Sequence, residues 1–207
     1  MLGDEFWLIA HQEHSGRPRL STRVLGLGLA GALLGELVFC RSVTVVRGQV
    51  HVVSHAPPPD ELAHWVLGQV TAEATAHTLR TWLVFLSRNA HELVAQRMWH
   101  AGKVQRETSR RVLKQVITYL PADAGQAAWA IARLSNSLRR QAPMDQADAF
   151  LAGLALATGL DQVMLDAAGR GPHQYLSHVV GGLVAPLHEI VVHTQAAVGD
   201  AVLSQRA

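Results

Sequence analysis

The sequence predicts a mainly α fold, a single helical domain over residues 1–207 built around a buried central helix with β-hairpins at its periphery. Three observations carry this. Val24 to Cys40, VLGLGLAGALLGELVFC, has one charge, Glu36, and apolar side chains on every face of the helical wheel. A helix apolar all round has to be enclosed by protein or lipid, and this run falls short of the about 20 residues that span a bilayer. Leu79, Trp82, Leu83 and Leu86 then recur at i, i+3, i+4 and i+7, the helical period. Finally, β-branched segments occur as pairs with turn residues between them, and no alternation of strands and helices argues for a parallel sheet.

Taken in order, Asp4 to His11 reads as a short helix with Phe6, Trp7, Leu8 and Ile9 turned to the core, followed by a turn at His14–Pro18 and an extended piece around Leu20. The central helix is expected next. Its glycines, Gly26, Gly28, Gly31 and Gly35, lower helix propensity but let neighbours approach closely. Ser42–Val46 and Gln49–Val53 form a hairpin about Arg47-Gly48. After the linker Ala56–Pro59, Asp60 opens a helix over Glu61–Val70. Another runs from Thr75 through Leu86, and the next over Asn89–Ala101 stops at Gly102. Lys103–Arg106 and Val112–Tyr119 read as strands joined by a polar turn at Glu107-Thr108-Ser109. Asp123 opens a helix with Ala127, Ile131, Leu134 and Leu138 inside, and Asp145 opens an Ala/Leu-rich one ending at Gly159. Asp161–Ala168 is short, Gly169–Pro172 a loop, and the remainder two helices broken near Pro186.

An apolar fraction of 49% and a charged fraction of 16% over 207 residues describe a compact globular chain, neither disordered nor fibrous. The single cysteine, Cys40, provides no disulfide framework, and the acids in MLGDEFW do not fit a signal peptide, so a cytoplasmic location is expected. The net charge is only +2 but unevenly spread. Arg80 to Lys114 holds eight basic residues against Glu92 and Glu107, while six acids and two bases follow Gln141. With Arg17, Arg19 and Arg23, the middle third makes one side basic, which points to an anionic partner.

The motifs narrow the chemistry. Gly26-x-Gly28-x-x-Gly31 has the letters of a dinucleotide fingerprint, but it lies within one apolar helix with no strand before it and no acid at positions 43–53. His188-Glu189 and His193 have i, i+5 spacing, roughly 140° apart on the wheel, whereas zinc-binding histidines on a helix share a face at i, i+4. The twelve histidines read as scattered over surface and hairpins, and no metal site, catalytic residue or cofactor is expected. Arg88 and His91, three apart, are expected on one helical face where both could reach a phosphate. Arg88 and Glu92 at i, i+4 equally suit a surface ion pair, which spacing alone favours.

LAGALLGELVF, the Arg47-Gly48 hairpin, the Trp82 helix, the Arg88-Asn89 segment, the strand after Gly102 and FLAGLALATGLDQVML, in this order, resemble the Golgi phosphoprotein 3 family across essentially the whole chain. Compact length and short loops resemble a bacterial member. The resemblance implies a non-enzymatic peripheral membrane protein that binds phosphatidylinositol 4-phosphate, or anionic phospholipid headgroups generally, and acts as an adaptor for protein clients. Arg88 matches an arginine of the family's headgroup pocket, and His91 stands where a second would be. The pocket's tryptophan position falls near Ser21 and a further arginine position on Ala30, while Arg17, Arg19 and Arg23 lie close enough to substitute. Val112 and Leu113 match the tip of a membrane-contacting hairpin, flanked here by Arg110, Arg111 and Lys114. Association with the inner face of a membrane follows from the same resemblance. Two other readings compete: a soluble interaction module that kept the fold without the lipid site, and a nucleic-acid binder using the Lys103–Tyr119 hairpin. The last has only Trp99 as a stacking aromatic near its basic residues, so no nucleic acid is expected.

Overall fold

The first helix, α1 (Leu2–Ala10), drives Phe6, Trp7 and Ile9 into the interior and is pinned there by its one buried acid, Asp4. The computed structural model describes residues 1–73, 77–111 and 114–204. Within them the chain is 64% helical, with ten helices and two antiparallel two-stranded sheets, so the mainly α expectation holds.

The central helix is α2 (Thr22–Phe39), capped by Ser21 and buried from Val24 to Leu37. Each of its glycines accommodates a neighbour. A Cβ on Gly28 would strike Phe6, one on Gly31 Thr194 and Leu154, and one on Gly35 Phe150, the last at 2.3 Å. Gly26 meets backbone: its Cβ would lie 2.3 Å from the Ser87 carbonyl oxygen. Glu36 is buried on α2 and neutralised by Arg97, whose Nη1 donates to it at 2.9 Å. Arg97 also pairs with Asp4 and Asp60, and Lys103 Nζ donates to Asp4 at 2.7 Å. Burial penalises the Arg97 charge, but hydrogen bonding and attraction from Glu36, then Asp4 and Asp60, outweigh it and hold its pKa above the ordinary arginine value.

β1 (Val43–Val46) and β2 (Gln49–Val52) pair in the expected register, with Arg47 at φ 53° and Gly48 at φ 71° forming the turn. Positive φ at both central residues is the mirror-image turn that suits strand twist. Glu189 accepts from both turn amides, at 3.2 and 2.6 Å. The apparent zinc-helix residue is therefore a hairpin clamp. α3 (Glu61–Ala72) is capped by Asp60, which accepts from the Ala63 amide at 2.9 Å. α4 (Leu79–Ser87) and α5 (Ala90–His100) follow, although Thr75, the expected start of this region, lies outside the described residues.

The second hairpin departs from expectation. β3 (Val104–Arg111) and β4 (Lys114–Pro121) pair continuously from Val104↔Pro121 to Arg111↔Lys114. Glu107, Thr108 and Ser109 are thus strand residues, paired with Thr118, Ile117 and Val116. Their polarity suggested a turn because Glu107 and Thr108 face solvent, so no apolar alternation marks the strand there. Val112 and Leu113 lie outside the described residues.

Five helices complete the chain: α6 (Ala124–Arg140), α7 (Gln146–Thr158), α8 (Asp161–Met164), α9 (Arg170–Gly181) and α10 (Ala185–Leu203). Arg170, Gly171 and Pro172, expected in a loop, form the first turn of α9. Proline is tolerated there because the amide it lacks would have no intrahelical partner. The break before α10 falls at Gly182–Val184, with Pro186 inside its first turn for the same reason. Arg133 of α6 ties Glu5 of α1 to Asp148 of α7. Buried side chains from α1 to α10 join in one contiguous core, and α10 packs on α2, α4, α7 and β1.

Candidate anion-binding site

Gly26 positions this site. The close approach of Ser87 over Gly26 sets the end of α4 against the first turns of α2, and the next residue is Arg88. One helical turn before Gly26 stands Arg23, exposed, with Nη1 donating to Ser204 Oγ at 2.8 Å. Ser21 is the α2 N-cap, its hydroxyl oxygen accepting from the Val24 amide at 3.5 Å. The first turn of α2 carries no acid. A helix N-terminus concentrates positive potential and free amides, and here Arg23 and Arg88 add two cations that form no ion pair with any described residue.

Three expectations about these residues change. Arg88 and His91 do not share one uninterrupted helix, because Arg88 closes α4 and Asn89 precedes α5. The Arg88–Glu92 ion pair does not form. Glu92 Oε1 instead accepts from Tyr119 Oη at 2.8 Å and Gln96 Nε2 at 2.9 Å. That bond and burial push the Tyr119 pKa up to about 12, burial first. Ala30 is wholly buried more than a turn inside α2, where its methyl meets core and not solvent.

Beside this end of α2 opens a cleft of about 760 Å³ lined by Trp7, His11, Arg17, His91, Glu107 and Tyr119, among others. Its roof is β4. Gly16, at φ +60°, lies so close to the Tyr119 carbonyl that a Cβ would fall 2.1 Å from the oxygen. Arg19 holds the cleft's entry loop, pairing with Glu13 at 2.7 Å and donating to the His11 carbonyl at 3.2 Å. Arg17 is exposed, lines the cleft, and has no ion-pair partner among the described residues.

A stack of rings forms the cleft floor. Trp7 and His11 lie 3.7 Å apart between centroids and 13° from parallel, with His91 5.3 Å from His11. His11 Nδ1 is 2.7 Å from the Trp7 carbonyl oxygen and must donate to it. When neutral, His11 therefore presents a bare Nε2 to His91 Nε2 at 3.2 Å, and His91 is the donor between them. Burial pushes the His11 pKa down to about 3, and the charges of His91 and Arg19 oppose protonation further. His91 is also lowered by burial, against the pull of Glu92. Burial thus biases His91 toward its uncharged, hydrogen-bonding form.

Of the residues expected at the site, Ser21 and Arg23 stand at the α2 terminus, Arg88 follows Ser87 where it crosses Gly26, Arg17 and His91 line the neighbouring cleft, Arg19 braces its loop, and Ala30 is core. Pro18 lines the cleft and Ser21 caps α2, so three residues of chain, at most about 11 Å, separate the two parts. Trp7, His11 and Tyr119 were not foreseen. His11 has the strongest sequence signal, lying four residues after a buried tryptophan. No group of three or more His, Cys, Asp or Glu side chains among the described residues could hold a metal ion. No curated protein matches the chain. The family model for Golgi phosphoprotein 3 (GPP34) matches residues 2–178.

Proposed function

The chain belongs to the Golgi phosphoprotein 3 family, and on that premise we propose that it is a non-enzymatic peripheral membrane protein that binds phosphate-bearing lipid headgroups at the N-terminal end of α2. By family resemblance the headgroup is phosphatidylinositol 4-phosphate, and the bound protein serves as an adaptor for a protein client on the cytoplasmic side of a membrane. The observation that carries the reading is that the Ser87 backbone, next to Arg88, touches Gly26 one turn after Arg23 in an α2 whose first turn carries no acid, neither arginine having a carboxylate partner among the described residues. Arginine keeps its charge at every physiological pH and offers a planar fork of donors to phosphate. Arg17 supplies a third cation from the cleft, whereas neutral His91 has given its one N–H to His11. This arrangement differs from the family's expected set, in which Ser21 and Ala30 stand where a tryptophan and an arginine would be.

Co-sedimentation with neutral, anionic and phosphatidylinositol 4-phosphate-doped vesicles tests the reading. The protein should pellet with the charged vesicles and not with the neutral ones. An exposed arginine near a membrane surface contributes about 1 kcal/mol, so Arg88→Ala should weaken binding about fivefold and Arg23→Ala/Arg88→Ala about 30-fold. Equal pelleting with neutral and charged vesicles would remove the basis for a headgroup site.

A further inference from the structure

α4 is amphipathic in an unusual sense. Its inner face, Leu79, Trp82, Leu83 and Leu86, is buried in the core. Its outer face, which should be polar on an ordinary surface helix, reads Arg80, Thr81, Val84, Phe85, Arg88, with Val84 42% and Phe85 41% exposed. Arg80 reaches across to Asp200 of α10, joining the outer faces of the two helices. Val84 is one turn on from Arg80. On α10, Leu203 is about one turn on from Asp200 and is 67% exposed. Ser204 follows it and accepts from Arg23. Val84 and Phe85 thus lie exposed on α4 between Arg80 and Arg88, Phe85 edge-on to Trp82, and Leu203 lies exposed on α10 next to Ser204, the acceptor for Arg23.

We propose that this α4–α10 patch is the surface that enters the bilayer, with Arg23 and Arg88 at its edge engaging anionic headgroups. Scattered exposed apolar residues are normal on soluble proteins. Val84 and Phe85 are consecutive and border Arg88, and Leu203 precedes Ser204, which holds Arg23; neither arginine has a carboxylate partner among the described residues, and apolar side chains beside such cations suit acyl chains below phosphates. Charge separates this occupant from a second copy of the chain, because a two-fold contact through the patch would set Arg23 and Arg88 against their own equivalents. Phe85 is the one ring in the patch and is engaged edge-on by Trp82, and Val84 and Leu203 offer no ring face, so no run of stacking platforms suits nucleic-acid bases. The inference rests on the headgroup reading above. It assigns bilayer contact to a part of the fold other than Val112 and Leu113.

The test uses the full chain on a Cys40→Ser background, which removes its single cysteine. An environment-sensitive fluorophore is attached at Val84→Cys, at Val112→Cys, or at Val163→Cys on α8 as a remote exposed control. With anionic vesicles the Val84 label should shift to the blue and be quenched by nitroxide-bearing lipid, while the Val163 label stays unchanged. A second arm compares Val84→Asp/Phe85→Asp with the parent. Phe85 also packs edge-on against Trp82, so a Val84→Asp single variant, whose side chain has no such partner, controls for stability in thermal melts, while vesicle binding by either variant should weaken several-fold or more. Wild-type pelleting with an unquenched Val84 label, quenching at Val112 alone, or undiminished binding by the Asp variant would overturn this inference and leave the headgroup reading standing. Failure of the wild type to pellet would sink both. A blue shift at Val84 without vesicles that grows with protein concentration would mark the patch as a contact between copies, and would also overturn it.

Discussion

Lowering the pH from 7 to 5 should cost this protein about 2 kcal/mol of stability through His11 alone. In the unfolded chain that imidazole titrates near 6.5. In the fold, burial beneath Trp7 and beside His91 takes it down to about 3. Between these values the unfolded state binds a proton that the folded state refuses, so stability falls as pH drops from about 6.5 toward 3, and its full contribution is present above that window. At pH 5, about 1.5 units below the unfolded value, the ratio of protonated to neutral unfolded chain is roughly 30, which gives the figure of about 2 kcal/mol. For a chain of this size the melting temperature should fall by about 4–8 °C. Urea unfolding at pH 7 and pH 5 checks this in the wild type and in His11→Gln, whose amide can still donate to the Trp7 carbonyl. The variant should start less stable because it loses ring stacking, yet its loss between the two pH values should be smaller by about 2 kcal/mol. The same acid loss in both proteins would refute the argument.

Gly26→Ala should destabilise the protein by about 1–3 kcal/mol and weaken vesicle binding, since its methyl would displace the Ser87 backbone and with it Arg88. Thermal melts and co-sedimentation read the two effects, and a normal variant would show that the contact is slack. Gly68→Ala is the counterpart: its Cβ meets nothing within 4 Å on an exposed helical face, so the melting temperature should rise by the equivalent of up to about 1 kcal/mol. Arg97→Met should cost about 3–5 kcal/mol, because Glu36 is left buried without its cation, and denaturant titration reads it directly. A companion Glu36→Gln/Arg97→Met variant should recover much of that loss.

Much of this fold can be read from short-range pattern, and the exceptions share a cause. α2 is legible because its residues are apolar at every angle, and the first hairpin because Arg47-Gly48 sits between β-branched runs. The extent of β3 and β4 is not, since Glu107 and Thr108 pair with another strand while facing solvent, with no core contact to impose alternation. The site divides in the same way. The basic residues at the start of α2 and at Arg88 stand out in sequence, but only the Gly26–Ser87 contact brings them together. Whether Arg88 and His91 share a face depends on where α4 ends. Glu92 could be assigned to Arg88 from spacing, yet Tyr119, 27 residues away, takes it. The His11–His91 contact spans 80 residues and leaves no local trace.

The pairing of Glu36 with Arg97 also has a consequence during synthesis. Their separation is 61 residues, about 3–12 s of translation at 5–20 residues per second. Through that interval α2 has left the ribosome with its carboxylate unneutralised and without Phe150, Thr194 or Ile190 to cover its glycine-lined face. It averages a hydropathy of 1.5 over 18 residues, enough by length and composition to cross a membrane. The nascent chain thus presents a segment that the insertion machinery and holding chaperones are built to recognise. Arrival of Arg97, well before α7 and α10 are made, supplies the cation that neutralises Glu36 and binds this helix to α1 and α5.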